Sequence, residues 1–164
     1  MHPEEAWVVP YITSLSLEIG CGSSKTTGID VAVDKTAPGT QGLYGCELAA
    51  VCAADIQAEM DDLPFEDGKF SSVVSRHVLE HHADTLKVLN EWNRVLSFGG
   101  RVIMVVPDQK NYQGNTVHLD ETHEVAFTPM QLSKLLENCG FSINTVETVV
   151  PNWSFGIVAT KIRK

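Results

Sequence analysis

The sequence predicts an α/β fold: a doubly wound, mostly parallel sheet of seven strands with the last antiparallel, and a shortened first crossover helix. Three observations predict it. Apolar runs of strand length alternate with segments of helical periodicity. The first run, Ser16-Leu17-Glu18-Ile19, passes straight into Gly20-Cys21-Gly22, a turn through which a buried parallel strand lets bare backbone approach a ligand. The run Val102-Ile103-Met104-Val105-Val106 is apolar on both faces, as a central parallel strand covered by helices must be.

Residues 14–19 are expected as the first strand and 28–33 as the second. From Gly22 to Asp30 is only eight residues, short of the dozen or so that a crossover takes. Ser23 to Thr27 is therefore read as a loop or at most one turn. Residues 49–54 (Ala-Ala-Val-Cys-Ala-Ala) are read as the third strand, although alanines suit a helix equally well. Ser71 to Ser75 make the fourth. A helix is expected from near Ala83, with Leu86, Leu89, Trp92, Val95 and Leu96 as its apolar stripe. Gly99-Gly100 stops it, and Pro107 ends the strand that follows. Thr128 as N-cap, Pro129 at the first helical position and Gln131 at the third form a capping box. Leu132, Leu135 and Leu136 face inward from that helix, and Gly140 closes it. Residues 142–149 and 154–161, joined by Pro151-Asn152-Trp153, are expected as a closing pair of strands.

The bulk numbers bound the function. A chain of 164 residues is read as one domain, residues 1–164, with a minimal N-terminal cap in which Trp7 to Ile12 form at most a small flap. A net charge of -9 argues against unaided binding to nucleic acid or to an anionic membrane, since both need a basic footprint. No run approaches the roughly 18 apolar residues of a spanning helix. Met1-His2-Pro3-Glu4-Glu5 lacks the basic-then-apolar order of a signal peptide, so the cytoplasm is expected. Cys21, Cys46, Cys52 and Cys139 form no Cys-x-x-Cys pair and read as buried free thiols.

Candidate site residues fall at the carboxyl ends of the expected strands. Gly20 and Gly22 would let a ligand's polar tail approach, and Glu18 would pair with an ammonium group or serve as a structural carboxylate. Asp30 or Asp34, after strand two, would accept from ribose hydroxyls. A dinucleotide site places that acid about 20 residues past the glycines, which counts against a nicotinamide oxidoreductase here. Asp55 would accept from an exocyclic amine with Ile56 against the ring, or else cap a helix. Leu63-Pro64-Phe65-Glu66-Asp67-Gly68-Lys69-Phe70 reads as a turn. His77-Val78-Leu79-Glu80-His81-His82 raises a metal reading, with His118, Asp120 and His123 as further ligands. The spacing of His77 and His81 suits a plain helical turn as well, and no metal is expected. His118 to His123 is either a lid over the reacting centre or a surface loop.

Together these pieces resemble the class I S-adenosylmethionine-dependent methyltransferases, most closely the type 11 methyltransferase domain group, a Rossmann-like fold. The likeness runs through Leu17-Glu18-Ile19-Gly20-Cys21-Gly22, Asp55-Ile56 with Leu63 to Asp67, and Ser75-Arg76-His77-Val78-Leu79-Glu80-His81. It continues through Arg94 to Arg101, Val106-Pro107 and His123 to Thr128, and spans about residues 15 to 160. Three features depart from the family pattern: Ser24 replaces a third glycine, the helix after strand one is nearly absent, and Ser71 stands where an aspartate is common.

The resemblance implies S-adenosyl-L-methionine as cofactor and methyl transfer to an acceptor. It implies that the backbone at Gly20 and Gly22 holds the methionine moiety, with Glu18 and Cys21 among the cofactor-binding residues. Asp30, preferred to Asp34, would hold the ribose, and Asp55 with Ile56 the adenine. Arg76 and His77 would border the methyl group, and His77 and His123 are the candidate bases. The short N-terminal cap implies an open acceptor face. That face would suit a small metabolite or a carrier- or protein-bound acceptor, or completion by a partner or second subunit. The rival reading is a regulatory or scaffold module that binds the cofactor or its demethylated product without catalysis.

Overall fold

The computed structural model describes residues 1–41 and 50–163. Cys46 and the first residue of the expected third strand, Ala49, lie outside them. Seven strands form one sheet: β1 (Ser16–Ile19), β2 (Val31–Asp34), β3 (Ile56–Gln57), β4 (Phe70–Arg76), β5 (Leu96–Pro107), β6 (Phe141–Val150) and β7 (Ser154–Lys161). Their order is β3-β2-β1-β4-β5-β7-β6. The first five strands are parallel to one another, and β7 runs antiparallel between β5 and β6. The expected fold class holds, including the helix-free connection from β1 to β2.

Helices α1 (Pro3–Val8), α2 (Thr85–Val95) and α3 (Pro129–Asn138) complete the frame. The alternation along β5 shows why both sheet faces must be covered. Val102, Met104 and Val106 belong to the larger core, with Leu89 and Trp92 of α2 and Leu132 and Leu136 of α3. Ile103 and Val105 point to the other face, into a smaller core with Val8, Ile29 and Val158, flanked by Trp7, Tyr11 and Ile12. The N-terminal segment is thus part of a packed layer. A Cβ on Gly156 would lie 2.4 Å from the Trp7 ring, so the glycine makes the groove that α1 occupies.

Three expectations shift. The third strand is Ile56–Gln57, while Val51 makes only an isolated bridge to Gln41. Approaching β2, Ala53 and Asp55 donate backbone bonds to Gly22 and Ala32, and the Asp55 carboxylate takes the Ala32 N–H at 2.7 Å. A side chain fills the ladder there, and regular pairing starts one residue later, at Ile56 opposite Val33. Helix α2 starts after Asp84, which caps the Lys87 N–H, and ends at Val95, well before Gly99; Leu96 is already extended and opposite Phe70. Its buried face is Thr85, Val88, Leu89, Trp92, Asn93 and Val95, leaving Leu86 46% exposed. Thr85 takes the inward place, one position before Leu86, because the helical repeat fixes which neighbour of each pair faces the sheet. The capping box at Thr128 and Gln131 forms as expected.

Candidate active site

Strand order reverses between β1 and β4, so the loops leaving their carboxyl ends part. Between them opens a cleft of about 490 Å³, within the range of small-ligand sites. Gly20 shapes its floor. It adopts φ +70°, donates to Val33 at 2.8 Å, and lies so close to the chain leaving β4 that a Cβ would sit 2.3 Å from Val78 Cγ2. Gly20, Cys21 and Gly22 all line the cleft, followed by Ser23 and Ser24. Burial, with the carboxylates of Glu18 and Asp34 nearby, pushes the Cys21 thiol up to about 12. It stays protonated and acts as an apolar wall.

Glu18 lies beneath this loop, 1% exposed. It accepts from the Thr26 backbone and hydroxyl, both at 2.6 Å, and from Arg76 at 3.2 Å. The cation that meets Glu18 is therefore Arg76, which also donates to the Ser24 carbonyl at 3.0 Å and itself lines the cleft.

The two candidate ribose acids separate. Asp30 precedes β2, and its Oδ2 accepts from the Ser16 N–H and hydroxyl at 2.8 and 2.9 Å. These bonds hold its carboxyl below the usual range and tie together the amino ends of β1 and β2, away from the cleft. Asp34 is the last residue of β2 and lines the cleft, where it accepts from Gly22 N at 2.9 Å and Thr36 N at 2.8 Å.

The expected adenine residues stand outside the cleft wall as well. Asp55 is bonded to Lys25 Nζ at 2.8 Å and to Ala32, which lowers its carboxyl pKa. Ile56 lies in β3 and is 37% exposed. The residues just beyond β3 that do line the cleft are Ala58, Glu59 and Met60. Sequence reasoning missed Glu59 because it placed the strand on the alanine run. The β-branched Ile56 was the available signal.

The opposite wall comes from the chain after β4. His77 has φ +54°, an uncommon conformation for a residue with a Cβ and one that recurs at functional sites. Its Nε2 lies 2.9 Å from Glu4 Oε1, and its Nδ1 lies 3.3 Å from Glu80 Oε1. Ser154 donates to the same Glu4 oxygen at 2.6 Å. Burial opposes the imidazolium, but the hydrogen bond to Glu4 and the carboxylate of Glu80 outweigh it and raise the pKa to about 9. At neutral pH His77 is a cation between two carboxylates and has no lone pair for a proton. Glu4, from α1, was not foreseen, because nothing local in Pro-Glu-Glu says that this helix docks 73 residues away.

This charge state has a measurable consequence. A histidine whose folded pKa is about 9, against roughly 6.5 unfolded, stabilises the fold fully below about pH 6.5. The contribution is lost as pH rises through about 9. In urea titrations with a chelator present, wild type should lose stability from pH 6.5 to 9.5, and the gap to His77→Gln should shrink over that window. A constant gap would show that folding does not raise the pKa of His77.

The last group also borders the cleft. Leu119, Asp120, His123, His81 and Trp153 line the cleft, whereas His118 is exposed outside it and His82 turns away to Asp61 at 3.2 Å. Two backbone bonds from Glu124 and Val125 to the Glu80 carbonyl, at 2.8 and 3.1 Å, fasten the 116–125 segment to the turn after β4.

Known proteins share this fold. The model of a methyltransferase domain family matches residues 17–104. A sarcosine/dimethylglycine N-methyltransferase of Halorhodospira halochloris is 34% identical over 129 residues, covering 63% of this chain and 46% of that protein. The chain spans about half the length of the curated relatives it matches. Among solved structures, a Burkholderia thailandensis 1,6-didemethyltoxoflavin-N1-methyltransferase with bound S-adenosylhomocysteine superposes with a TM-score of 0.73 at 18% identity, over 99% of this chain and 78% of that one. A SAM-dependent methyltransferase of Archaeoglobus fulgidus gives 0.71 at 18% identity, over 96% and 92%. These structures share the fold, and the family model covers more than half of the sequence: the chain belongs to the methyltransferase domain family, within the class I S-adenosylmethionine-dependent methyltransferases.

Proposed function

We propose that the protein binds S-adenosyl-L-methionine in the cleft between β1 and β4 and transfers its methyl group to an acceptor entering beside His77, His81 and His123. One observation carries this reading. The bare Gly20–Gly22 backbone, Asp34 and Glu59 all line one cleft. When bound, the cofactor supplies a methyl carbon activated by its sulfonium.

The side chains divide the remaining work. The Gly20 and Gly22 backbone and the Arg76 guanidinium hold the amino-acid end. Asp34 takes over the ribose role first assigned to Asp30, because it ends β2 at the ligand face. Glu59 and Met60 take the adenine in place of Asp55 and Ile56. Glu18 acts through Arg76 and the loop as a positioning residue. His77 closes the cleft with a fixed positive charge and orients Trp153, whose ring centroid lies 6.2 Å from its own. His123 and His81 face the acceptor, and the role of base falls on that pair rather than on His77. Fixing donor and acceptor in line is the main catalytic contribution such a site makes.

The acceptor class is a small metabolite or a protein- or carrier-bound group, since the acidic surface disfavours nucleic acid. Residues 1–164 work as one methyltransferase domain in the cytoplasm, and a partner or second copy can complete the acceptor face. Among the described residues no helix is long and apolar enough to cross a membrane.

Calorimetry with S-adenosylhomocysteine should give one site per chain and none for NAD. Labelled-methyl transfer should then appear with a panel of amine, hydroxyl and carrier-bound acceptors. Absence of S-adenosylhomocysteine binding would overturn the proposal. Binding without transfer to any acceptor would favour a cofactor-binding regulatory module instead.

A further inference from the structure

Glu80 is 1% exposed, and neither of its carboxylate oxygens has a hydrogen-bond partner. A buried carboxylate left without donors is costly; the His77 ring stands at Oε1 alone, and Oε2 has neither a hydrogen bond nor an ion pair among the described residues. His77 Nδ1 approaches at 3.3 Å without making a hydrogen bond and is already held by Glu4 through its other nitrogen. Two further rings converge on the same carboxylate. One ligand atom from each of Glu80, His81 and His123 lies within 4.8 Å of the other two.

The hydrogen bonds around the two rings fix their tautomers. The Thr122 hydroxyl stands 2.6 Å from Asp120 Oδ1, which can only accept, so its proton points there. Its oxygen must then accept from His81 Nδ1, 2.8 Å away, and the Thr122 carbonyl lies 3.2 Å from the same nitrogen. His123 Nδ1 lies 2.8 Å from the Thr116 carbonyl, which also only accepts. These bonds place the proton of the neutral form of either ring on Nδ1 and leave the lone pair on Nε2. His123 Nε2 faces Glu80 Oε1 at 4.0 Å, beyond hydrogen-bonding distance. Metal-binding histidines are oriented in this way, through a carbonyl or carboxylate on the remote nitrogen.

We propose that Glu80, His81 and His123 form a binding site for a divalent first-row transition metal at the acceptor end of the cleft. Two imidazoles and one carboxylate suit zinc, iron, cobalt or manganese, with coordination positions left open for a substrate atom. Bonds of about 2.0–2.2 Å would set the ligand atoms roughly 3.5 Å apart, a closure within reach of side-chain torsions. His81 and His123 both line the cleft, so the open side of the site faces it. This departs from the expectation of no metal, in which His77 was counted with the cluster; His77 is held by Glu4 and acts as a neighbour of the site.

The consequence for chemistry rests on the methyl-transfer reading above; the metal site itself does not. An acceptor hydroxyl at an open position would shed its proton to bulk water, and the electron pair would stay on oxygen as the nucleophile. In the metal-loaded site His81 and His123 serve as ligands, and the role of base given to that pair above passes to the metal-activated hydroxyl's loss of its proton to water.

Metal binding by itself is the test. Full-length protein stripped with EDTA is titrated with Zn²⁺ by calorimetry and with Co²⁺ by visible absorption, without cofactor or acceptor. The expected result is one site per chain and a Co²⁺ ligand-field spectrum. His123→Ala and Glu80→Gln should each weaken Zn²⁺ at least about 100-fold, and Asp120→Asn, which acts through Thr122, about 10- to 100-fold. His82→Ala and His118→Ala should leave affinity unchanged. Circular dichroism checks that each variant folds, and His123→Ala decides the matter if Glu80→Gln does not. No stoichiometric binding, equal affinity in wild type and His123→Ala, or loss in His82→Ala would overturn the site. S-adenosylhomocysteine binding, measured separately, tells a failed metal site from a failed methyltransferase reading.

Discussion

Replacing Gly20 by alanine should destabilise the protein by about 2–5 kcal/mol and abolish S-adenosylhomocysteine binding. Two effects add. At φ +70° a Cβ meets the following carbonyl, at a cost of roughly 1–2 kcal/mol. The same atom would lie 2.3 Å from Val78 Cγ2, and such overpacking typically costs another 1–3 kcal/mol. Relief requires the β1 loop and the chain after β4 to move apart, and those two segments are the walls of the cleft. Urea unfolding of the single variant and of Gly20→Ala/Val78→Ala separates the contributions. The second substitution should recover the packing share and leave the backbone share. If Gly20→Ala unfolds at the wild-type midpoint, the close approach is not a constraint on the fold.

The second large effect is expected at the end of β2. Asp34→Ala should weaken S-adenosylhomocysteine binding about 10- to 150-fold, since one hydrogen bond to a charged group contributes roughly 1.5–3 kcal/mol. Asp30→Ala and Asp55→Ala should change binding no more than about threefold, although both should lower stability. Their carboxylates are engaged with Ser16 and with Ala32 and Lys25. Calorimetry on the three variants, each checked by thermal melting, ranks the acids. Loss of binding in Asp30→Ala with Asp34→Ala unaffected would reverse the assignment. Asp34 also holds Gly22 N and Thr36 N, so Asp34→Asn, which keeps the shape, should fall between alanine and wild type.

Much of the architecture was legible because it is written in local chemistry. The unbroken apolar run of Val102 to Val106, the capping box at Thr128 and the shortness of the Gly22–Asp30 connection each act over a few residues. Strand ends were less legible. Asp30 and Asp55 fall outside the cleft lining, and Asp34 and Glu59 within it, because a shift of a few residues moves a carboxylate to the other end of a strand or off the cleft. Asp30 and Asp34 differ by four residues, about 13 Å along a strand, and nothing in their side chains distinguishes them. Glu4 was illegible for another reason. Its partner His77 is brought to it by the packing of α1 against the sheet, a tertiary event with no local signature. The histidine cluster lay between these cases. Its residue types were visible, but sorting His77 and His82 from His81 and His123 required the hydrogen bonds of Thr116 and Thr122.

The strand order bears on how the molecule is made. The cleft opens between two strands that are neighbours in the sheet but far apart in the chain, with Ser16 opposite Ser72. During synthesis β1 emerges long before its partner and cannot complete its site until β4 has left the ribosome. Pairings of such sequence separation are slow, because loop closure precedes the reward of contact. Affinity for the cofactor therefore arises late in folding, with the central pairing of the sheet. A ligand that grips both walls of the cleft acts on that long-range pairing, and so favours the finished chain over its partly folded forms.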